Sequence, residues 1–217
     1  DAGAGGGETR RRAAAAIAPG ARLVGLYQVH SAHCVTVAEP WDDESRPEAD
    51  ALVTDRPGLL LGVVTADCAP VLFADPVARV IGAAHAGWKG ALGGVTDAAV
   101  PAMVALGARP DRIAAAIGPC IAQPSYEVDE AFRARFLDAD PVHAACFAPG
   151  RPGHWQFDLP GYLVRRLAAA GAGTVEPLGH DTYSQEARYF SFRRSTHRTE
   201  AAYGRQISVI SLPPAQG

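Results

Sequence analysis

Three residues that can bind a soft metal ion lie at predicted strand ends or turns. They are His30, Cys68 and His85. Cys68 follows the apolar run Leu59–Thr65, and His85 follows the apolar residues 80–84. Two imidazoles and one thiolate can hold Zn²⁺ tetrahedrally and leave a fourth position open, as in catalytic zinc sites. The three residues have no CxxC or HExxH spacing. The residues alone therefore also fit a small buried cysteine and two ordinary loop histidines.

The same atoms also allow a mechanism without a metal. Cys68 would be a nucleophile, His85 its base, and Asp67 or another acid the group that orients the base. Alternatively, Asp67 would orient a metal ligand or handle a proton, or serve only in the turn before Cys68. The order of the residues does not separate these possibilities.

Two basic segments are candidates for binding an anion. Lys89 is the only lysine among the 20 basic residues, and Gly87 and Gly90 flank it just before a predicted helix, where backbone N–H groups can face an anion. The alternative is an exposed lysine at a helix start. Arg193 and Arg194 follow alternating aromatic and polar residues, and arginine pairs suit bidentate contacts to phosphate. A solvated edge strand explains that segment equally well.

Strands buried on both faces and amphipathic helices must position these groups. The predicted strands are residues 23–29, 34–37, 59–65, 71–73, 80–84, 113–117, 174–178 and 207–210. The predicted helices are residues 10–17, 91–106, 128–137 and 158–170, the last capped by Asp158 and stopped by Gly171. Residues 39–57 are predicted to be a loop, and residues 30–33 a tight connection between the first two strands.

The Asp75–Pro76 turn would fold the chain back and bring Cys68 and His85 towards one mouth of the sheet. Residues 59–65 are expected in the same sheet. Because strands and helices do not alternate strictly, the pattern favours a mixed α/β fold, with a mixed sheet covered by helices.

Composition excludes several classes of protein. The chain has 217 residues, 48% of them hydrophobic, and a net charge of −3. This predicts a single domain over residues 1–217, with the Gly-rich residues 1–9 mobile. No apolar run reaches the ~20 residues of a membrane span, and the mild acidity argues against nucleic acid as the main partner. Four cysteines are too few for a disulfide scaffold, and no signal peptide opens the sequence, so we expect a cytoplasmic protein.

Several segments together resemble one family. They are residues 28–30 (QVH), 49–54 (ADALVT), 65–70 (TADCAP), 85–90 (HAGWKG), 117–119 (IGP) with 126–128 (YEV), and 189–194 (YFSFRR) with 204–205 (GR). In this order they resemble the YfiH/YlmD family, variously described as laccase-like polyphenol oxidases, purine nucleoside phosphorylases and peptidoglycan editing factors. The resemblance runs from about residue 8 to residue 212, nearly the whole chain.

The resemblance implies a fold, a metal site and a reaction. The fold would be a four-layer α/β/β/α sandwich of mixed sheets, similar to the cytotoxic necrotizing factor catalytic fold. His30, Cys68 and His85 would be zinc ligands, with copper as the other metal to consider. The implied reactions are phosphorolysis of adenosine, inosine and methylthioadenosine, and deamination of adenosine. Phosphate and nucleoside would be the partners, held by Arg10, Lys89 and Arg193 or Arg194.

Other functions stay open at this point. Peptidoglycan editing would use Cys68 and His85 to hydrolyse wrongly built muropeptide precursors. A copper-dependent polyphenol oxidase needs several copper ions and usually His-x-His pairs, which the sequence lacks. A non-enzymatic role with a structural zinc is the third alternative.

The sequence departs from the family pattern at four places. The resemblance implies a strand-and-loop segment before the predicted helix 10–17, which the sequence given does not show. Ser31 replaces a common glycine, and Asp181 stands where many relatives have cysteine. Residues 195–203 form a longer loop than in short relatives, which would change access to a pocket.

Overall fold

The computed structural model of the chain describes Arg12 and residues 14–213. Within them, the strands are β1 (Arg22–Val24), β2 (Cys34–Thr36), β3 (Ala51–Thr54), β4 (Leu59–Thr65), β5 (Ala69–Asp75), β6 (Val80–Ala86), β7 (Ala114–Ile117), β8 (Glu127–Asp129), β9 (Phe147–Pro149), β10 (His154–Phe157), β11 (Thr174–Pro177) and β12 (Gln206–Ser211). The longer helices are α1 (Trp88–Gly93), α2 (Val95–Ala105), α3 (Glu130–Ala139), α4 (Leu159–Ala169) and α5 (Phe192–His197). Arg12 and residues 14–17 are also helical, while the rest of the predicted helix 10–17, including Arg10, lies outside the described residues.

The strands form three sheets. The largest has the order β11-β7-β5-β6-β3-β2 and is mixed, with parallel pairs at both edges and antiparallel pairs between them. A second sheet, β1-β4-β12, is also mixed, and β8-β10-β9 is antiparallel. The predicted mixed α/β fold is therefore confirmed. The four-layer sandwich and the likeness to the cytotoxic necrotizing factor fold stay predictions.

The central strands β3, β5 and β6 of the six-stranded sheet are buried on both faces. Along β6, Ala84 and Ala86 pack into a core shared with α2 and α4, whereas Ile81 and Ala83 pack towards β1 and β4. One face of the large sheet therefore meets helices and the other meets the β1-β4-β12 sheet. Because neither face of β3, β5 and β6 is exposed to water, these central strands appear in the sequence as mostly apolar runs.

The predicted β5–β6 hairpin is confirmed. Asp75 pairs with Val80 next to the turn, and Pro70 pairs with His85 at the other end. Cys68 directly precedes β5, so the hairpin brings Cys68 and His85 to the same end of the sheet. The expectation that β4 belongs to this sheet is wrong, because β4 pairs with β1 and β12.

Two other predictions about the early strands are wrong. The strands predicted at 23–29 and 34–37 do not form a hairpin, since β1 pairs with β4 and β2 pairs with β3 in different sheets. Residues 25–33 cross from one sheet to the other. The predicted loop 39–57 contains β3, which is fully buried between β2 and β6. In the folded protein the short segment Ala51–Thr54 has a strand partner on each side, and these tertiary contacts make it a strand. The prolines and acids around it indicated a loop instead.

Some helix boundaries also differ from the prediction. The helix predicted at 91–106 is two helices, α1 and α2, because Gly94 between them has a left-handed backbone (φ 92°). The solvated edge strand that was one alternative for residues 189–194 is not formed, since α5 begins at Phe192, where the Ser191 hydroxyl accepts a hydrogen bond from the Arg194 N–H. Asp158 caps α4 as predicted, by accepting a hydrogen bond from the Gly161 N–H. None of the helices described is long and apolar enough to cross a lipid bilayer.

We expect Gly94→Ala to destabilise the protein by about 1–2 kcal/mol, because a side chain in the left-handed region meets the following backbone. A Cβ there would also approach Arg166 Nη2 to 3.2 Å. Gly93→Ala is the matched control, since its Cβ would make only an ordinary contact with Ala32. Replacing a helical glycine with alanine there should leave stability unchanged or raise it by up to about 1 kcal/mol. Urea unfolding of both variants measures the difference, and equal losses would contradict the prediction.

Candidate metal centre

The three predicted ligands come from two chain segments that change sheets and one strand end. His30 lies in the 25–33 connection, and Cys68 lies in the short connection from β4 to β5. His85 is the penultimate residue of β6. Both connections contain a non-glycine residue in the left-handed region, His30 itself (φ 61°) and Asp67 (φ 85°). Such backbone strain is typical of functional sites and needs compensating contacts.

The structure brings the three side chains together. One ligand atom from each of His30, Cys68 and His85 lies within 4.8 Å of the others. Cys68 Sγ is 3.8 Å from His30 Nε2, and the two imidazole rings meet edge to face at 4.7 Å. Tetrahedral Zn²⁺ with the usual bond lengths needs its sulfur and nitrogen donors roughly 3.5 Å apart. The cluster can therefore hold a metal ion with little movement.

The backbone at Gly87 lies too close to the cluster to carry a side chain. A Cβ added to Gly87 would come within 2.8 Å of both Cys68 Sγ and His30 Cδ2. Glycine at this position therefore allows the donors to approach each other closely.

Asp50 holds two of these three residues in place. It precedes β3, whose first residue Ala51 pairs with Ala84, so Asp50 is next to His85 across the strand pair. Its fully buried carboxylate lies 2.8 Å from His85 Nδ1. The His85 N–H also donates to the Asp50 carbonyl. Because Nδ1 is occupied by this contact, His85 presents Nε2 to the cluster.

The same carboxylate fixes the loop that carries His30. It accepts backbone hydrogen bonds from Val29, His30 and Ser31, at 3.2, 3.0 and 2.6 Å. The Ser31 hydroxyl donates to it as well, at 2.8 Å. Each hydrogen bond to a charged group contributes about 1.5–3 kcal/mol, which exceeds the roughly 1–2 kcal/mol cost of one left-handed residue. These contacts can therefore maintain the unusual backbone of His30.

The electrostatics of the cluster favour its charged forms. Burial opposes ionisation of Asp50, but hydrogen bonds from His85 and Ser31 outweigh it and lower the Asp50 pKa to about 2. Burial likewise opposes the Cys68 thiolate, yet hydrogen bonds with His30 and His85 lower its pKa to about 7. Burial disfavours charged His85, whereas its contacts with Asp50 and Cys68 raise its pKa to about 9. Cys68 is thus poised to become a thiolate near neutral pH.

Asp67 points away from the metal ligands to other partners. Its carboxylate accepts hydrogen bonds from the hydroxyls of Thr182 and Ser191, at 2.7 and 3.0 Å, and from the Arg193 N–H at 2.7 Å. These contacts tie the turn before Cys68 to the start of α5. They fit a residue that positions the Cys68 loop.

The cluster lies in a cavity of about 1190 Å³. Such a volume exceeds the ~300–1,000 Å³ typical of pockets for drug-sized ligands. Its lining includes residues 26–30, several residues of α5, residues 203–205 and Ile207. Aromatic and apolar side chains that are partly exposed surround its interior: Tyr27, Val29, Phe190, Phe192 and Tyr203.

Two of the predicted anion-binding residues, Lys89 and Arg193, line the cavity, whereas Arg194 is not among the described lining residues. Lys89 lines the cavity beside the Trp88 ring. Arg193 also lines it, with its guanidinium over Tyr126 and bonded to the Glu127 carbonyl.

Arg194 has another role among the described residues. Its guanidinium donates to the backbone carbonyls of Thr182, Tyr183 and Tyr189, at 2.7, 2.8 and 2.6 Å. These contacts place the side chain in support of the surrounding loops rather than along the described cavity wall.

Sequence reasoning missed three residues of the site. Asp50 was contained in the segment 49–54 that resembled the family, and an acid directly before an apolar strand was the available signal. Arg46 and Arg205 also line the cavity. Arg205 was contained in the segment 204–205 that resembled the family, and Arg46 lay in the predicted loop 39–57. No spacing pattern linked either arginine to the cluster, because long connections separate them from it.

The fold and the site define a mixed α/β protein with a His/Cys/His cluster in a large cavity. A sequence model described as multi-copper polyphenol oxidoreductase laccase matches residues 2–213. The chain therefore belongs to this family, as the YfiH/YlmD resemblance predicted.

Relatives and solved structures agree with this assignment. A Deinococcus radiodurans protein named purine nucleoside phosphorylase is 43% identical over 213 residues, which cover 97% of this chain and 78% of the relative. A Streptomyces coelicolor protein with the same name is 47% identical over 181 residues, covering 80% of this chain and 70% of the relative. The structure of hypothetical protein YfiH from Bacillus licheniformis has a TM-score of 0.85 and 29% identity, covering 95% of this chain and 80% of that one. YlmD from Geobacillus stearothermophilus has a TM-score of 0.81 and 32% identity, covering 94% of this chain and 78% of that one.

Replacing Asp50 should weaken metal binding specifically. Replacing another buried carboxylate, which would lower only the stability of the fold, should not have this effect. We expect Asp50→Asn to lower Zn²⁺ affinity about 10–100-fold, as is typical when a partner of a metal-bound histidine is removed. Asp75→Asn is the matched control, because Asp75 is equally buried and bonded to Arg112 outside the cluster. Competition with a chromophoric chelator measures affinity, and thermal unfolding verifies folding. A folded Asp50→Asn variant with unchanged affinity would contradict this role.

Cys68 should be the most readily alkylated cysteine of the chelator-treated protein. Thiolate forms as pH rises through the pKa, so the rate with iodoacetamide should increase with a midpoint near pH 7. Cys34 is the internal control, since burial raises its pKa to about 12. Mass spectrometry of peptides from pH 5 to 9 measures both rates. Equal labelling of Cys34 and Cys68 at pH 7 would contradict the prediction.

Proposed function

We propose that the chain is a zinc-dependent purine nucleoside phosphorylase that acts on adenosine, inosine and methylthioadenosine and also deaminates adenosine. The observation that carries this proposal is the His30, Cys68 and His85 cluster inside a cavity of about 1190 Å³. The names of the relatives supply the reaction class, because both relatives above are named purine nucleoside phosphorylases.

The donor set suits a resident Zn²⁺ ion. His30 and Cys68 would each give one donor, and His85 would give Nε2 because Asp50 occupies Nδ1. Thiolate with imidazole is a common combination for zinc, and imidazole also suits copper, so metal analysis decides between them. When bound, Zn²⁺ supplies a Lewis acid that can polarise a substrate atom or activate water for attack at C6 of adenine.

The protein's own residues would bind and orient the two substrates. Lys89 and Arg193 add positive charge to the cavity and would hold phosphate near the ribose carbon. Arg46 and Arg205 extend this positive lining, and Arg10 stays a further candidate from the sequence. We assign Asp67 and Arg194 positioning roles in this scheme because backbone and hydroxyl groups already occupy their side chains.

The principal alternative is a cysteine hydrolase that edits muropeptide precursors. A specific observation favours it as the second candidate: Cys68, His85 and Asp50 form a thiol, imidazole and carboxylate series. This is the arrangement of a nucleophile, its base and the acid that orients the base. Asp50, rather than Asp67, would have the orienting role.

Purified protein should convert adenosine to adenine only when phosphate is present, and to inosine with or without phosphate. Cys68→Ala should lower the rates of both reactions more than about 100-fold, because it removes a proposed metal ligand. Loss of a residue that only hydrogen-bonds to a metal ligand typically costs about 10–100-fold. It should also abolish bound zinc. Cys34→Ala is the matched control, since Cys34 lies on β2 outside the cluster. Chromatography of the products and elemental analysis of the protein measure these effects.

Chelation separates the proposal from its alternative. Activity lost with a zinc chelator and restored by Zn²⁺ would support the metal enzyme. A protein that leaves adenosine unchanged in both buffers, but hydrolyses muropeptide precursors after chelation, would overturn the proposal in favour of the cysteine hydrolase. Full adenosine activity in Cys68→Ala would also overturn the metal mechanism.

A further inference from the structure

The lining of the cavity includes an imidazole outside the cluster of His30, Cys68 and His85. His197, the last residue of α5, lines the cavity. The Tyr183 hydroxyl lies 3.0 Å from its Nδ1, and the two rings meet edge to face at 5.6 Å. His197 belongs to the segment 195–203 that the sequence marked as longer than in short relatives.

Tyr183 is itself held firmly. Its backbone N–H donates to the buried Asp181 carboxylate at 3.0 Å, and its carbonyl accepts a hydrogen bond from Arg194 at 2.8 Å. Asp181 also accepts a hydrogen bond from the Ser125 hydroxyl at 2.7 Å. The backbone that carries the phenol is thus fixed, and the phenol contacts His197 through both its hydroxyl and its ring.

A phenol can orient both protonation states of an imidazole. Its oxygen accepts a hydrogen bond from Nδ1–H of the imidazolium, and its hydroxyl donates to Nδ1 of the neutral ring. In either state, the contact with Tyr183 leaves Nε2 of His197 available to a molecule in the cavity. The other two imidazoles that line the described part of the cavity, His30 and His85, belong to the metal cluster.

We propose that His197 is the proton donor to the purine leaving group, an inference that rests on the proposed phosphorylase function. As a phosphate oxygen bonds to the ribose C1′, the C1′–N9 bond breaks and its electron pair goes to the purine. Nε2–H of the His197 imidazolium then gives its proton to N7 of the departing purine. The products are the neutral purine, ribose 1-phosphate and neutral His197, which regains a proton from solvent.

The proton requirement of the leaving group provides the test. Adenine leaves poorly as an anion, whereas 7-methylhypoxanthine leaves from 7-methylinosine as a neutral molecule because N7 already carries a methyl group and a positive charge. General acid catalysis contributes about 10²–10⁴-fold to a rate. His197→Gln should therefore lower kcat/KM for the phosphorolysis of adenosine by this factor. The kcat/KM for the phosphorolysis of 7-methylinosine should change less than about tenfold.

Two further variants make the result specific. Tyr183→Phe should lower kcat for adenosine with little change in KM, because it removes only the contact that orients His197. His154→Gln is the matched control, since His154 begins β10 and is not part of the cavity lining described here. Thermal unfolding verifies that each variant is folded.

The outcomes separate this inference from the proposed function. A selective loss for adenosine in folded His197→Gln supports the proton donor. Equal losses for both nucleosides, or no loss, in an active parent enzyme would overturn the role of His197 alone. A parent protein that cleaves neither nucleoside with phosphate would overturn the phosphorylase function and this inference with it.

Discussion

The geometry of the candidate metal centre depends on one buried carboxylate. Asp50 contacts His85 through its side chain and holds the loop around His30 through three backbone N–H groups. A buried carboxylate without such partners would be strongly disfavoured. These hydrogen bonds therefore stabilise the buried charge of Asp50 and at the same time position His30 and His85. One residue thereby couples a strand end in the large sheet to a connection that arrives from the smaller one.

This coupling solves a problem created by the fold. A ligand on a strand, such as His85, has its direction fixed by the pleat, whereas ligands on connections have much greater freedom. Asp50 restricts the His30 connection, and Asp67 restricts the Cys68 connection through its contacts with Thr182 and Ser191. Each carboxylate holds a segment that contains a left-handed residue. A hydrogen-bonded carboxylate therefore fixes each of the two connections that carry His30 and Cys68 beside the strand residue His85.

The parts of this arrangement that depend on local pattern could be predicted from the sequence. The β5–β6 hairpin followed from two apolar runs and an Asp-Pro turn, and it placed Cys68 close to His85. The exchange of strands between sheets could not be predicted, because β1 and β4 pair in parallel across a long separation. Asp50 was missed for the same reason, since its partners are distant in sequence. Helix α5 was missed because Ser191 acts as a cap, a role that alternating aromatic residues concealed.

The separation of tasks within the cavity follows from these supports. His30 and Cys68 lie in two connections between sheets and His85 near the end of β6, while residues of α5 and residues 203–205 also line the cavity. Asp67 links the two regions, because its carboxylate contacts Ser191 and the Arg193 N–H at the start of α5. We therefore expect a change that displaces the Cys68 loop to disturb the start of α5, the helix that carries Arg193 and His197. The contacts of Asp67 thus connect the segment that carries Cys68 to the segment that carries Arg193 and His197.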